Sequence, residues 1–185
     1  MVKFPRGDTM TNLEYTILDF IQNLSSPFMD SVMQFITFLG NAGWIWIASG
    51  IILSIIPKTR KIGFTVCLSL IFSVLICNVT LKPLIARTRP YDLVEGIKLI
   101  IDAPSDYSFP SGHTSASFAA AISIFIHNKR YGIIAVVTAF LISFSRLYLY
   151  VHFPTDVLAG AIIGSACAVL GYYSIKHLYE KKVSK

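Results

Sequence analysis

Charged residues are scarce in this chain, and their scarcity is the first guide to its class. Only 14% of the 185 residues are Asp, Glu, Lys or Arg, against 54% hydrophobic residues, and the mean hydropathy is +0.63. Soluble domains usually carry about a quarter charged residues. The composition therefore argues against a soluble protein. It indicates one membrane domain with room for five or six spans of about 20 residues each.

Cysteine is also rare. Cys67, Cys77 and Cys167 all lie inside apolar runs, so we expect buried free thiols and no disulfide framework. The sequence has no Cys/His spacing typical of a metal site, and the first ten residues lack the apolar core of a cleavable signal peptide. These observations predict a protein with no metal and no cofactor.

The net charge of +6 is divided among short basic clusters between apolar runs. This distribution argues against a nucleic-acid partner and is typical of membrane topology. The clusters lie in Pro57–Lys61, in His127–Tyr131 and after Ile175. The positive-inside rule predicts that these segments are cytoplasmic. The loops Lys82–Ser111 and Tyr148–Pro154 should then face outward.

The apolar runs predict an all-α, polytopic membrane bundle. The expected bundle helices are Pro27–Leu39 (tilted or partly buried), Gly43–Ile56, Ile62–Leu81, Gly112–Ile126, Gly132–Ser145 and Thr155–Ile175. Small residues on the last helix, including Gly160 and Gly164, predict close packing there. The single domain thus has a helical bundle at residues 28–175 and a cytoplasmic basic tail at 176–185.

Residues 1–27 form the N-terminal segment, in which Asn12–Leu24 carries apolar residues at helical spacing. Glu14 and Asp19 lie elsewhere on that helix. The pattern predicts an amphipathic helix at the membrane interface, and a short sixth span formed with the next helix is an equal alternative.

Three groups of polar residues lie at the outward ends of the predicted spans. They are Lys82–Pro90, Phe109–Thr114 and Ser145–Asp156. Charges at the membrane surface or below it are unfavourable, so a cluster of them is a candidate functional site. On a continuous helix Lys82 and Arg89, seven residues apart, would face the same way.

The first chemistry that this inventory suggests is phosphate binding. Lys82, Arg89 and Arg146 supply three cations, and arginine donates two parallel N–H bonds to phosphate oxygens. Ser111 and Gly112 stand where a helix begins, and the free N–H groups of a helix start favour an anion.

Two histidines and one carboxylate remain. His152 and Asp156 are four residues apart, so Asp156 can hold one ring nitrogen of His152 protonated and leave the other free to attack. His113 is then the candidate general acid for the leaving oxygen.

The ordered motifs Lys-x6-Arg-Pro, Pro-Ser-Gly-His and Ser-Arg-x5-His-x3-Asp resemble the signature of the type-2 phosphatidic acid phosphatase family. That family includes bacterial phosphatidylglycerophosphate and undecaprenyl diphosphate phosphatases. The resemblance implies a lipid phosphatase in which His152 becomes a phosphohistidine, Asp156 orients it and His113 protonates the leaving group. The same resemblance implies a phosphate site without metal, formed by Lys82, Arg89, Arg146 and the backbone of Ser111, Gly112 and His113.

Several interpretations stay open at this point. We expect Arg87 to be solvated or to face lipid headgroups, since on a helix it points away from Arg89. The alternative to an enzyme is a transporter or binding protein for an anionic lipid. The gathering of charges at one end of the spans favours the enzyme, with its site on the extracytoplasmic face. The substrate is a lipid phosphate or diphosphate, and undecaprenyl diphosphate, phosphatidylglycerophosphate and phosphatidate all fit.

Overall fold

The protein is an all-helical membrane bundle, as the apolar runs predicted. The computed structural model describes residues 9–183, and these contain helices without any strand. The expectations for residues 1–8 and 184–185 lie outside the described range. The helices are α1 (Thr9–Gln22), α2 (Pro27–Gly40), α3 (Trp44–Ile55), α4 (Arg60–Ser73), α5 (Lys82–Ile85), α6 (Pro90–Leu93), α7 (Gly112–His127), α8 (Lys129–Tyr148) and α9 (Pro154–Val183). A 3₁₀ turn, Asn41–Gly43, joins α2 to α3, and a π-helical stretch, Val74–Leu81, continues α4.

Local chemistry explains several of these boundaries. Ser26 caps α2 by accepting a hydrogen bond from the Met29 N–H at 3.3 Å, and Pro27 occupies the first turn, where its missing N–H is not needed. Asn128 caps α8 in the same way through the Tyr131 N–H. Helix α9 runs on to Val183, so most of the predicted basic tail continues the last helix.

Helix α7 is the centre of the bundle. It packs against α4, α8 and α9, and its Ala119, Ala120 and Ala121 are fully buried. The close packing predicted for the last helix is present, and its partner is α7. A Cβ atom on Gly160 would lie 2.7 Å from the Ser111 carbonyl oxygen, and one on Gly164 would overlap the Ser115 carbonyl oxygen. Only glycine therefore allows this approach.

The outer surface of the bundle is apolar, as a lipid-facing surface requires. Large side chains such as Ile52, Val79, Phe140 and Ile162 are more than half exposed. Within residues 9–183, four helical stretches are long and apolar enough to cross a membrane, namely Pro27–Ile55, Arg60–Leu93, Lys129–Tyr148 and Pro154–Lys181. The first of them is kinked where Ala42 and Gly43 take positive φ angles of 50° and 66°. The count of five or six spans stays a prediction.

The three predicted cytoplasmic segments meet at one end of the bundle. The Lys61 ammonium group lies over the Tyr179 ring at 4.7 Å, which joins the α3–α4 turn to the C-terminal part of α9. The Thr65 hydroxyl lies 3.0 Å from His127 Nε2, which joins α4 to the α7–α8 turn. The basic clusters thus lie at the opposite end of α7 from Gly112.

Helix α1 packs across the connection between α8 and α9. Tyr15 and Leu18 are buried against it, whereas Leu13 and Phe20 are exposed by 55% and 70%. Glu14, which the sequence pattern sets apart from the apolar residues of this helix, is also buried. The position of α1 relative to the membrane stays a prediction. The three cysteines are free, as predicted, with Cys77 and Cys167 buried and Cys67 partly exposed.

Candidate active site

A cavity of about 810 Å³ opens at the end of the bundle where α7 and α9 begin and α8 ends. Its wall combines polar and apolar residues from α2, α4, α5, α7 and α8 and from the segments between helices. Six predicted site residues line it, namely Lys82, Arg89, Gly112, His113, Arg146 and His152. Asp156 lies behind His152 and is fully buried.

The first motif does not form the continuous helix that its spacing suggested. Helix α5 ends at Ile85 because Ala86 takes a left-handed conformation, with φ 49°, and Arg89 is extended before Pro90. Lys82 and Arg89 nevertheless converge, since both contact the carboxylate of Asp106. Their side chains are only 6% and 3% exposed.

Arg89 is held on every side of its guanidinium group. Nε donates to the Asp106 carbonyl at 2.8 Å, Nη1 donates to the Val151 carbonyl at 2.6 Å, and Nη2 donates to Asp106 Oδ1 at 2.6 Å. Nη1 also lies 3.2 Å from His152 Nε2. This contact fixes a cation beside Nε2 of His152, a residue that lines the cavity.

The imidazole of His152 lies between Arg89 and Asp156. Nδ1 is 3.5 Å from Asp156 Oδ2 and makes no hydrogen bond to the described residues. Because Arg89 can only donate, Nε2 carries the lone pair and the proton belongs on Nδ1. Burial lowers the pKa of His152 well below its usual 6.5, and the nearby Arg89 and Arg146 act in the same direction. The ring is therefore neutral at physiological pH, which is the form that a nucleophile requires.

Asp156 is fixed by four groups. Oδ2 accepts hydrogen bonds from the Ser108 hydroxyl at 2.5 Å and from the Phe153 N–H at 2.8 Å. Oδ1 accepts one from Arg87 Nη1 at 2.6 Å. The carbonyl oxygen of Asp156 accepts the Ser111 N–H at 3.0 Å, which ties the start of α9 to the start of α7.

Ser111 supports the site from behind, whereas Gly112 and His113 line the cavity. The Ser111 hydroxyl caps α7 and accepts a hydrogen bond from the Thr114 hydroxyl at 3.0 Å. Direct contact of Ser111 with phosphate stays a prediction. His113 Nε2 lies 3.0 Å from Asn41 Oδ1, which orients the ring from the turn between α2 and α3.

Arg146 is the least engaged of the three cations. Its side chain is buried, and Nη1 donates to the Thr37 hydroxyl at 2.5 Å. Its Nε–H is buried without a hydrogen-bond partner in the described part of the chain. An unpaired N–H on a charged group is unfavourable in the protein interior. Arg146 therefore keeps a hydrogen-bond donor that the described residues leave unused, at the wall of the cavity.

Sequence reasoning missed a second layer of the site. The prediction that Arg87 is solvated or faces headgroups is wrong. Arg87 Nη1 bonds Asp156 Oδ1, Nη2 bonds Glu14 Oε2 at 2.5 Å, and the guanidinium carbon lies 3.9 Å from the Phe153 ring centre. Glu14 also accepts hydrogen bonds from the Thr155 N–H and hydroxyl. Helix α1 is thereby connected to the candidate catalytic carboxylate.

Asp106 was likewise not predicted as a site residue. It lies in the loop between α6 and α7, and its carboxylate bridges Lys82 and Arg89. Burial alone would raise the pKa of Asp106, yet the hydrogen bonds and charges of Lys82 and Arg89 outweigh it and lower that pKa from 3.8 to about 2. A single acid in a long loop has no spacing signal, so only the fold reveals this contact.

Comparison with known proteins gives consistent similarities. An undecaprenyl-diphosphatase of Sulfolobus acidocaldarius is 33% identical over 138 residues, which are 74% of this chain and 66% of that relative. The crystal structure of Aquifex aeolicus LpxE superposes with a TM-score of 0.76 and 30% identity, covering 86% of this chain and 94% of the other. The transmembrane PAP2-type phosphatidylglycerolphosphate phosphatase of Bacillus subtilis gives a TM-score of 0.73 and 28% identity, over 95% and 89% of the two chains.

The family model of the PAP2 superfamily matches residues 62–180. This range contains all three polar motifs and the cavity wall from Ser73 to His152. With the motif residues gathered around one cavity, and with two solved structures of the same fold, the chain belongs to the PAP2 superfamily.

Proposed function

We propose that this protein removes a terminal phosphate from a membrane lipid through a phosphohistidine on His152. The observation that carries the proposal is the environment of the His152 ring. His152 lines the cavity, its Nε2 lies beside Arg89, and its Nδ1 is next to the buried carboxylate of Asp156. A neutral imidazole with its proton on Nδ1 has a lone pair on Nε2 that can attack phosphorus.

The reaction has two steps. The Nε2 lone pair forms a bond to phosphorus, the bond between phosphorus and the leaving oxygen breaks, and His113 donates its proton to that oxygen. Water then attacks the phosphohistidine, and His113 accepts a proton from this water. Inorganic phosphate leaves and His152 is regenerated. The contact of His113 Nε2 with Asn41 supports the acid role, since it fixes the ring at the cavity edge.

The positive charge that stabilises the negative phosphoryl oxygens comes from side chains. Lys82, Arg89 and Arg146 are all buried and line the same cavity. Phosphoryl transfer requires mainly positioning and charge stabilisation, so three fixed cations provide what a divalent ion provides in other enzymes. We propose that no metal takes part.

The lipid tail leaves the cavity sideways into the bilayer. The cavity wall includes Phe38 and Val74, which are 55% and 49% exposed on the lipid-facing surface. Val74 also lines an apolar groove of about 430 Å³ between α3 and α4, with Ile51 and Leu75 among its walls. A hydrocarbon chain fits this continuous path. Undecaprenyl diphosphate, phosphatidylglycerophosphate and phosphatidate all combine such a tail with a terminal phosphate.

The site belongs on the extracytoplasmic face. The basic segments meet at the other end of the bundle, where Lys61 contacts Tyr179. If that end is cytoplasmic by the positive-inside rule, the cavity faces outward.

The test uses purified protein in neutral detergent micelles with the three lipids, each labelled with ³²P in its terminal phosphate. We expect phosphate release that persists with excess chelator, together with a labelled protein band that is stable in alkali and labile in acid. His152→Ala should lose both the label and turnover. His177→Ala, on the exposed part of α9, is the matched control and should keep both.

Two results would contradict the proposal. Label that persists in His152→Ala would place the nucleophile elsewhere. Binding of the lipids without phosphate release would favour the alternative of a transporter or binding protein. Loss of activity with chelator, restored by Mg²⁺ or Zn²⁺, would refute the metal-free chemistry alone.

A further inference from the structure

One polar side chain of the cavity wall has no role in the mechanism above. Asn78 lines the cavity from the π-helical stretch Val74–Leu81, whose next residue, Val79, is 60% exposed on the apolar surface. Within residues 9–183 the Asn78 amide makes no hydrogen bond, whereas the amides of Asn41 and Asn128 do. An amide without a partner is unfavourable in a membrane span, so Asn78 is a candidate for ligand binding.

The position of Asn78 along its helix relates it to the substrate. Val74, Asn78 and Lys82 follow one another at a spacing of four residues, and all three line the cavity. Val74 also lines the apolar groove in which we place the lipid tail. Lys82 is one of the cations that we expect to bind the terminal phosphate. Asn78 therefore lies between the tail and the terminal phosphate, about one helical turn from each.

The Asn78 amide also packs directly against the start of α7. A Cβ atom on Gly112 would lie 3.2 Å from Nδ2 and 3.3 Å from Oδ1 of Asn78. Gly112 stands where the free N–H groups of a helix start favour an anion. An amide this close to the phosphate site can reach the group that is bonded directly to the reacting phosphate.

In a lipid diphosphate, that group is a second phosphate, which leaves with the tail. When the terminal phosphoryl group moves to His152, the electrons of the broken P–O bond stay on the bridging oxygen. Negative charge then develops on the second phosphate, and an amide N–H that donates to one of its oxygens stabilises this charge. In a lipid monophosphate the tail itself follows the reacting phosphate, so the N–H has no charged acceptor there.

We propose that Asn78 binds the leaving phosphate of a lipid diphosphate and makes the site prefer diphosphates over monophosphates. The proposal rests on the proposed function, because it concerns the same cavity and the same reaction. Undecaprenyl diphosphate carries such a phosphate next to the terminal one. In phosphatidylglycerophosphate a glycerol separates the two phosphates, and phosphatidate has only one.

Farnesyl diphosphate and farnesyl phosphate test this, because they share a tail and differ only by the second phosphate. The measured quantity is kcat/KM for the diphosphate divided by kcat/KM for the monophosphate, from initial rates of phosphate release. Asn78→Leu keeps the approximate size of the side chain and removes its hydrogen-bonding atoms. The matched control is Thr80→Val on the same π-helical stretch, since Thr80 lies outside the cavity wall and its hydroxyl donates to the Leu75 carbonyl.

In the wild type we expect the diphosphate to be the better substrate by about tenfold or more, because a fixed donor stabilises its leaving group. In Asn78→Leu the ratio should fall by about 10–100-fold, since a hydrogen bond to a charged acceptor is lost, while kcat/KM for the monophosphate should stay within about threefold. Thr80→Val should keep the ratio within about twofold, as expected for a substitution away from the site. If Asn78→Leu does not fold, Asn78→Ala supplies the same ratio.

Several results would overturn the proposal. They are a wild type that hydrolyses both farnesyl substrates equally, an unchanged ratio in the Asn78 variant, and an equal loss with both substrates, which would make Asn78 a ligand of the reacting phosphate or a structural support. A fall in the ratio of phosphatidylglycerophosphate to phosphatidate, with the farnesyl ratio unchanged, would place the amide at a more distant phosphate and would also contradict it. A wild type that releases phosphate from no lipid would instead contradict the proposed function.

Discussion

The sharpest prediction concerns Arg87, which forms ion pairs with Glu14 and Asp156 behind the site. Replacement of Arg87 by Met keeps an apolar stem over the Phe153 ring but removes the charge from two carboxylates. The side chains of Asp156 and Glu14 are 0% and 4% exposed, and that of Arg87 is 26% exposed. Breaking a buried ion pair from one side costs about 3–5 kcal/mol, and the partial exposure of Arg87 favours the lower end. A loss of about 3 kcal/mol in a chain of this size lowers the unfolding temperature by about 6–12 °C.

A second substitution distinguishes an ion-pair network from simple packing, because the two predict opposite effects of that substitution on stability. Glu14→Gln keeps an oxygen that can accept hydrogen bonds from Thr155 and Arg87, so this substitution alone should lower the stability only slightly. Combined with Arg87→Met it removes a carboxylate that would otherwise be buried and unpaired. The double variant should therefore be more stable than Arg87→Met, although it carries one more substitution.

The assay is thermal unfolding in detergent together with steady-state kinetics. We expect kcat of Arg87→Met to fall by about 10–100-fold, because a small misplacement of Asp156 and His152 is enough for such a loss, while KM changes little. Lys176 and Glu180 form an exposed pair at 3.9 Å, so the double variant Lys176→Met/Glu180→Gln is the control and should show almost no shift. If Glu14→Gln/Arg87→Met is no more stable than Arg87→Met, the network does not act as described.

Three further outcomes are expected. His113→Ala should slow hydrolysis of an alkyl phosphate by about 10²–10⁴-fold and affect a nitrophenyl phosphate much less, since only the poor leaving group needs a proton; equal losses would refute the acid role, and Asp156→Asn should impair both substrates alike. Cysteine introduced between residues 92 and 106 should react with an impermeant reagent on intact cells, and cysteine between residues 57 and 61 should not; the reverse pattern would put the cavity in the cytoplasm. Because the pKa of Asp106 falls from 3.8 to about 2 on folding, its carboxylate stabilises the fold above about pH 4, and this contribution disappears as the pH falls towards 2. The stability difference between wild type and Asp106→Asn should therefore be constant from neutral pH to about pH 4 and then shrink, and a difference that persists at pH 2 would contradict the ion pair.

The helices were predictable because lipid exposure gives long apolar runs. Gly112–Ile126 was predicted and Gly112–His127 is observed, and Gly43–Ile56 became Trp44–Ile55. The break after Ile85 was not predicted. It depends on a left-handed Ala86, and alanine carries no sequence signal for that conformation.

The candidate site was predictable where its residues form ordered motifs. His152, Arg89 and Lys82 lie at the same cavity as their motifs suggested. The supporting groups were not predictable, because each is a lone polar residue far away in sequence. Glu14 lies on a predicted amphipathic helix, away from its apolar residues, and only the fold brings it to Arg87.

The glycines between α7 and α9 set the dimensions of the site. His113 follows Ser111 at the start of α7, and Asp156 precedes Gly160 by one turn of α9. Because a methyl group at Gly160 would meet the Ser111 carbonyl oxygen at 2.7 Å, the distance from His113 to Asp156 depends on how closely these two helices approach. Glycines that do not line the cavity thereby set the spacing of the candidate catalytic residues. The protein should accordingly tolerate substitution of these glycines as poorly as substitution of the candidate catalytic residues.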